Sequence, residues 1–253
     1  MIRDSQAVAL SGLSIGYRTR NGVHTVARGI SATICYGSLT CLLGQNGVGK
    51  STLMRTLAGF QPQLEGSIVM KGKRLEEFSA RELAQTVGVV LTEKPNMGMM
   101  TVKELVALGR SPYTDFWGRL TRQDQEAVAE AIEMVGIGRL AKRQVTTLSD
   151  GERHKVMIAK ALAQQTDIIF LDEPTAFLDY PSKVDVLQLL RRICHEAGKA
   201  VFLSTHDLEL TLKAADYIWL MTRDEGLITG TPQQLDTDGA LKRHLHFPFT
   251  YCV

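Results

Sequence analysis

The run Gly44-Gln45-Asn46-Gly47-Val48-Gly49-Lys50-Ser51 constrains this chain more than any other stretch. It follows a short apolar run at residues 39–43. It precedes a segment, residues 50–59, with Leu53, Met54, Leu57 and Ala58 on one helical face. Strand, glycine-rich loop and helix in that order are the setting of a phosphate loop. Its glycines let backbone N–H groups converge on phosphate oxygens, and the helix presents its positive end. There Lys50 reaches the β- and γ-phosphates, and the Ser51 hydroxyl is a donor for Mg2+. The plainer alternative is a glycine-rich turn, against which the flanking strand and helix both weigh.

A second feature lies downstream. Ile168-Ile169-Phe170-Leu171-Asp172-Glu173 reads as a buried strand ending in two carboxylates, the end at which parallel sheets bind ligands. Asp172 suits Mg2+ held through its water shell, and Glu173 suits orienting or deprotonating an attacking water. A solvated acidic turn before Pro174 is the alternative, outweighed once a phosphate loop precedes it. Between the two features, Leu148-Ser149-Asp150-Gly151-Glu152 contains Ser-x-x-Glu, a capping box opening a helix through Met157, Ala161 and Leu162. A capped helix start with a serine hydroxyl and a glycine backbone is also a good γ-phosphate partner. The two readings are compatible.

Alternation organises the rest. Strands are expected at residues 8–10, 29–35, 38–43, 168–171, 200–204 and 217–221, and helices at 123–135, 182–196 and 208–215. Capping boxes mark Ser79 to Glu82 and Thr101 to Glu104, Thr121 precedes the 123–135 helix, and Gly136 stops it. This order argues for a largely parallel sheet covered on both faces, with a helical block inserted. A net charge of +2 argues against a nucleic-acid partner. No apolar run reaches the roughly 18 residues that cross a bilayer, and the N-terminal stretch lacks a signal-peptide core, so membrane association is expected through a partner. Cys35, Cys41, Cys194 and Cys252 are scattered and read as reduced thiols, and His244 and His246 read as a solvated segment rather than a metal site.

In this order the motifs resemble the ATP-binding subunit of an ABC transporter over nearly the whole chain. Gly44 to Ser51 resembles the Walker A loop, Leu148 to Glu152 the ABC signature, and residues 168–172 the Walker B strand. Ala176-Phe177-Leu178-Asp179 resembles the D-loop, His206 in Ser204-Thr205-His206-Asp207 the switch histidine, and Tyr17 the aromatic residue that stacks on adenine. The resemblance implies an α/β fold: a P-loop NTPase (RecA-like) core with an N-terminal antiparallel β subdomain and an inserted α-helical subdomain. It implies one domain over residues 1–253, with core at about 1–92 and 161–253 and the helical subdomain at about 93–160. It also implies that two copies pair head to tail around two ATP molecules. Gly44, Asn46, Gly47, Gly49, Lys50, Ser51, Thr52 and Tyr17 of one copy would hold each nucleotide, with Ser149, Gly151 and Asp179 completing the contacts. Glu173 would act on water, His206 would contact the γ-phosphate, and Ser51 and Asp172 would hold Mg2+.

Two departures accompany the match. Asp150 and Glu152 put extra carboxylates in a signature that commonly reads LSGGQ, and Asp150 would repel a γ-phosphate unless it points away. Family members usually carry a glutamine where Val89-Val90-Leu91-Thr92-Glu93 has none; Thr92, or Glu93 beside it, is the expected substitute near the metal. The segment from Met100 to Tyr113, with Gly109-Arg110-Ser111-Pro112 as its Gly-Arg-x-Pro element, resembles the subdomain of bacterial importers for iron–siderophore complexes, haem and cobalamin. That likeness implies an integral membrane permease as partner, a periplasmic substrate-binding protein acting indirectly, and a cytoplasmic location on the inner face of the membrane. A non-transport ABC ATPase of the iron–sulfur cluster assembly type is the alternative.

Overall fold

The structure, a computed structural model, describes residues 6–19, 22–91 and 98–245. Strands β1 (Gln6–Thr19) and β2 (Gly22–Cys35) form an antiparallel ribbon, and β3 (Leu39–Gly44) runs into α1 (Lys50–Leu57). β4 (Glu65–Met70), β5 (Lys73–Arg74), α2 (Ala80–Thr86) and β6 (Val87–Val90) follow. Helices α3 (Val102–Ala107), α4 (Arg122–Met134) and α5 (Asp150–Ala163) come next, before β7 (Ile168–Asp172). The chain then alternates through α6 (Tyr180–Ala197), β8 (Ala200–Ser204), α7 (Leu208–Ala214), β9 (Tyr217–Met221) and β10 (Leu227–Gly230). It closes the described part with α8 (Pro232–Thr237) and α9 (Ala240–Leu245).

Two sheets result. The first is antiparallel in the order β2-β1-β4-β5. The second runs β10-β9-β3-β8-β7-β6, parallel throughout except for the edge strand β10. Residue parity assigns its two faces, because successive strand side chains point to opposite sides. Ile168, Phe170, Ala200, Phe202 and Trp219 pack with α1 and the first sheet, whereas Ile169, Leu171, Val201 and Leu203 pack with α5 and α6. Phe202 stands edge-on between Phe170 and Trp219, with ring centroids at 5.9 and 4.8 Å.

Boundaries moved where glycine or proline chemistry decided them. β1 and β2 extend well beyond residues 8–10 and 29–35, because register shifts around Gly12 (φ 57°) interrupt the alternation. α1 ends at Leu57 rather than residue 59: Gly59 at φ 73° donates to Thr56 O and Phe60 donates to Arg55 O, a Schellman stop. α6 begins at Tyr180, since Pro181 is tolerated in a first turn. The capping boxes at Ser79, Thr101 and Ser149 all form, and Thr121 forms one with Asp124.

The inserted helices are tied to one another by Arg110, which is 3% exposed. Its Nε donates to Asp124 Oδ1 at 2.8 Å, and one Nη donates to Ala163 O and Gln165 Oε1 at 2.8 and 2.9 Å. Tyr113 lies under the guanidinium, 4.0 Å from ring centroid to Cζ. A Cβ on Gly109 would stand 2.2 Å from Lys160 O, so a larger residue would push this turn off α5. α5 itself continues past residue 160 to Ala163, so the expected division at 160/161 falls inside a helix.

Candidate nucleotide site

β3 delivers the glycine loop between its neighbour β9 and strand β2 of the first sheet. A Cβ on Gly44 would lie 2.6 Å from Met221 O of β9, and one on Gly49 would lie 2.4 Å from a Val26 methyl of β2. Both glycines also hold positive φ, at 156° and 116°. Lys50, 6% exposed, donates from Nζ to Gly44 O at 2.8 Å and to Gln45 O at 3.3 Å. Burial lowers its pKa, and the nearby carboxylates of Glu173 and Asp172 pull the other way.

A cleft of about 490 Å3 opens over this loop and brings together Tyr17, Asn46, Gly47, Gly49, Lys50, Ser51, Thr52 and Glu173. Five further lining residues carried no sequence signal: His24, Thr25, Val26, Thr222 and Arg223. His24 faces Tyr17 in the β1–β2 register, and the two rings stack with centroids 4.8 Å apart and planes inclined by 11°.

At the end of β7 one buried hydroxyl organises both carboxylate residues. Ser204 Oγ donates to Asp172 Oδ1 at 2.6 Å and accepts from Glu173 N–H at 2.9 Å. Glu173 has a left-handed backbone (φ 48°), which turns its side chain out of the strand alternation and into the cleft. Its Oε1 lies 3.8 Å from His206 Nδ1, within ion-pair range but beyond a hydrogen bond. The hard oxygen donors of Ser51 and Asp172 suit Mg2+, which takes few protein ligands and completes its shell with water and phosphate. Among the described residues no three His, Cys, Asp or Glu side chains form a metal cage. Thr92 and Glu93 lie outside the described residues.

Ser149, Gly151 and Asp179 do not line the cleft. Ser149 caps α5: its Oγ accepts from Glu152 N–H at 3.2 Å, and its N–H donates to Glu152 Oε2 at 3.1 Å. The Asp150 carboxylate stands 3.9 Å from Arg153 on the same helix, and Glu152 stands 3.8 Å from Arg143. Each added carboxylate of the signature therefore has a guanidinium near it. Gly151 faces α6, where a Cβ would meet Ser182 Oγ at 3.3 Å.

The sequence profile of the ABC transporter family matches residues 27–176. An ABC transporter ATP-binding protein of Methanocaldococcus jannaschii is 40% identical over 223 residues, 88% of this chain and 76% of that protein. The ferric enterobactin transport ATP-binding protein FepC of Escherichia coli is 35% identical, over 91% of this chain and 84% of its own length. Among solved structures, cbiO1 of Clostridium perfringens, part of the ABC transporter complex cbiONQ, superposes with a TM-score of 0.81 at 25% identity, covering 97% of this chain and 96% of that one.

Proposed function

The chain belongs to the ABC transporter family as an ATP-binding, ATP-hydrolysing subunit, and we propose that it energises uptake of a ferric siderophore, haem or cobalamin through an integral membrane permease. The observation that carries this reading is the division of the nucleotide machinery. The P-loop, Tyr17 and Glu173 share one cleft, while the capped start of α5 stays outside it. A head-to-tail pair of copies would bring Ser149, Gly151 and Asp179 of one onto the γ-phosphate held by the other.

The chemistry follows from the side chains. Lys50 would exchange its two loop carbonyls for phosphate oxygens, whose negative charge offsets the cost of its burial. Mg2+, held by Ser51 and Asp172, would neutralise charge on the β- and γ-phosphates. Glu173 would take a proton from the attacking water as its oxygen bonds to the γ-phosphorus and the bridging oxygen leaves with ADP. His206, 57% exposed at its side chain, would reach the γ-phosphate.

For the permease, the inserted region offers exposed apolar side chains: Met99, Phe116 and Trp117 are 78, 95 and 76% exposed. Among the described residues no helix is long and apolar enough to cross a membrane, so a peripheral position on the cytoplasmic face would come through that partner. A periplasmic binding protein would deliver the solute on the far side. The likeness to a ferric enterobactin transport protein supports the substrate class. The test is Glu173→Gln: ATPase turnover should fall about a hundredfold or more, and ATP should trap a dimer visible by light scattering. Near-normal turnover would remove Glu173 as the base. Stimulation of the chain–permease complex should follow a ferric siderophore, haem or cobalamin; no response to any of these would reject the substrate class.

A further inference from the structure

We propose that His24 is a nucleotide-positioning residue that acts through Tyr17, fixing the plane on which the adenine ring stacks. The inference rests on the reading that Tyr17 receives the base of an ATP bound in this cleft. Tyr17 and His24 are direct partners across the β1–β2 ribbon, and both line the cleft beside the P-loop. Their rings lie 4.8 Å apart and within 11° of parallel. Among the described residues the imidazole makes no hydrogen bond or ion pair, and its ring stacks on Tyr17. The strand behind it is pinned: a Cβ on Gly16 would sit 2.1 Å from His24 O, so glycine there permits the close approach that sets the register.

The physical effect is pre-organisation. Tyr17 is 48% exposed, and a half-exposed ring on an open ribbon samples several rotamers. A flat neighbour on one face removes that freedom before nucleotide arrives and leaves the other face for the base. Binding then pays less ordering entropy. The adenine would be the third layer of a stack whose first two are already in place. This role concerns the base alone and should leave triphosphate recognition untouched.

The experiment compares ATP with inorganic tripolyphosphate, which has no base, in the full chain. His24→Ala should raise KM for ATP about three- to tenfold at unchanged kcat, the range expected of one aromatic pair. Tripolyphosphate affinity should not change. His24→Phe should restore ATP affinity, and His24→Leu, similar in bulk but not planar, should not. In a Tyr17→Ala background, His24→Ala should add nothing. The proposal is overturned by unchanged KM in His24→Ala, by equal weakening of tripolyphosphate, by rescue with leucine, or by an undiminished effect without Tyr17. If Tyr17→Ala alone leaves ATP affinity intact, the underlying reading of the cleft fails instead, which that single variant distinguishes.

Discussion

Ser204 donates a hydrogen bond to Asp172 and accepts one from the Glu173 N–H, so one hydroxyl holds two consecutive residues in different conformations. A non-glycine residue with left-handed backbone costs about 1 kcal/mol or more, and that hydrogen bond helps hold Glu173 there. Ser204→Ala leaves a buried N–H and a carboxylate oxygen without this partner. We predict that kcat for ATP falls about tenfold or more, while ATP affinity, set mainly by the P-loop, changes less than threefold. Steady-state ATPase and equilibrium binding would separate the two. At this scale the sequence was legible wherever chemistry is carried in consecutive residues: Asn46 to Thr52 line one cleft with Glu173, and Asp172 stands next to Glu173 with Ser204 bonded to both. His24 and Arg223 were not legible: His24 reaches the cleft through the β1–β2 pairing, and Arg223 lies in the turn after β9, which the β3–β9 pairing sets beside the glycine loop. Ser204 stood in plain view at a strand end, but only the β7–β8 register makes it the neighbour of Asp172.

Within the inserted region, the turn after α3 is held to α4 by the Arg110–Asp124 pair. Both are nearly fully buried, and removing one partner of such a pair leaves an uncompensated charge. Arg110→Met should therefore lower unfolding free energy by about 3–5 kcal/mol, measurable by urea denaturation. The Thr121 hydroxyl and N–H, with the Arg110 guanidinium, hold the Asp124 carboxyl below the usual aspartate range. A depressed carboxyl stabilises the fold above its unfolded pKa, and that contribution disappears as pH falls through the folded value. Stability should thus decline below about pH 4, and Asp124→Asn should flatten that decline. The signature element is separable: Ser149→Ala should cost about 1 kcal/mol as a lost helix cap, yet abolish the ATP-dependent dimer. If dimerisation persists at a modest stability loss, Ser149 serves only as a cap. Element types were readable because capping boxes are local; the extents of β1 and β2 were not, because bulges break the alternation.

On the scale of the molecule, the six-stranded sheet separates two packed layers, and its middle strands are sealed on both faces. Cys41 of β3 and Cys194 of α6 pack in the same cluster on the α5–α6 face of the sheet; burial pushes the Cys41 thiol far up and the Cys194 thiol up to about 12. Neither should react with a thiol reagent at neutral pH until the whole domain unfolds, whereas Cys35, partly exposed, should react in the native state. Early alkylation of Cys41 or Cys194 by mass mapping would show that the layers open separately. One element links the signature to the Arg110 turn. α5 has 14 residues and so spans about 21 Å, with its capped head at the signature and its tail bonded to Arg110 through Ala163 O. It is a crank with a fixed bearing: a slip of about 1 Å at the head is a rotation of only about 3° over that arm. Small contacts made at one end can therefore be read as a change of angle at the other.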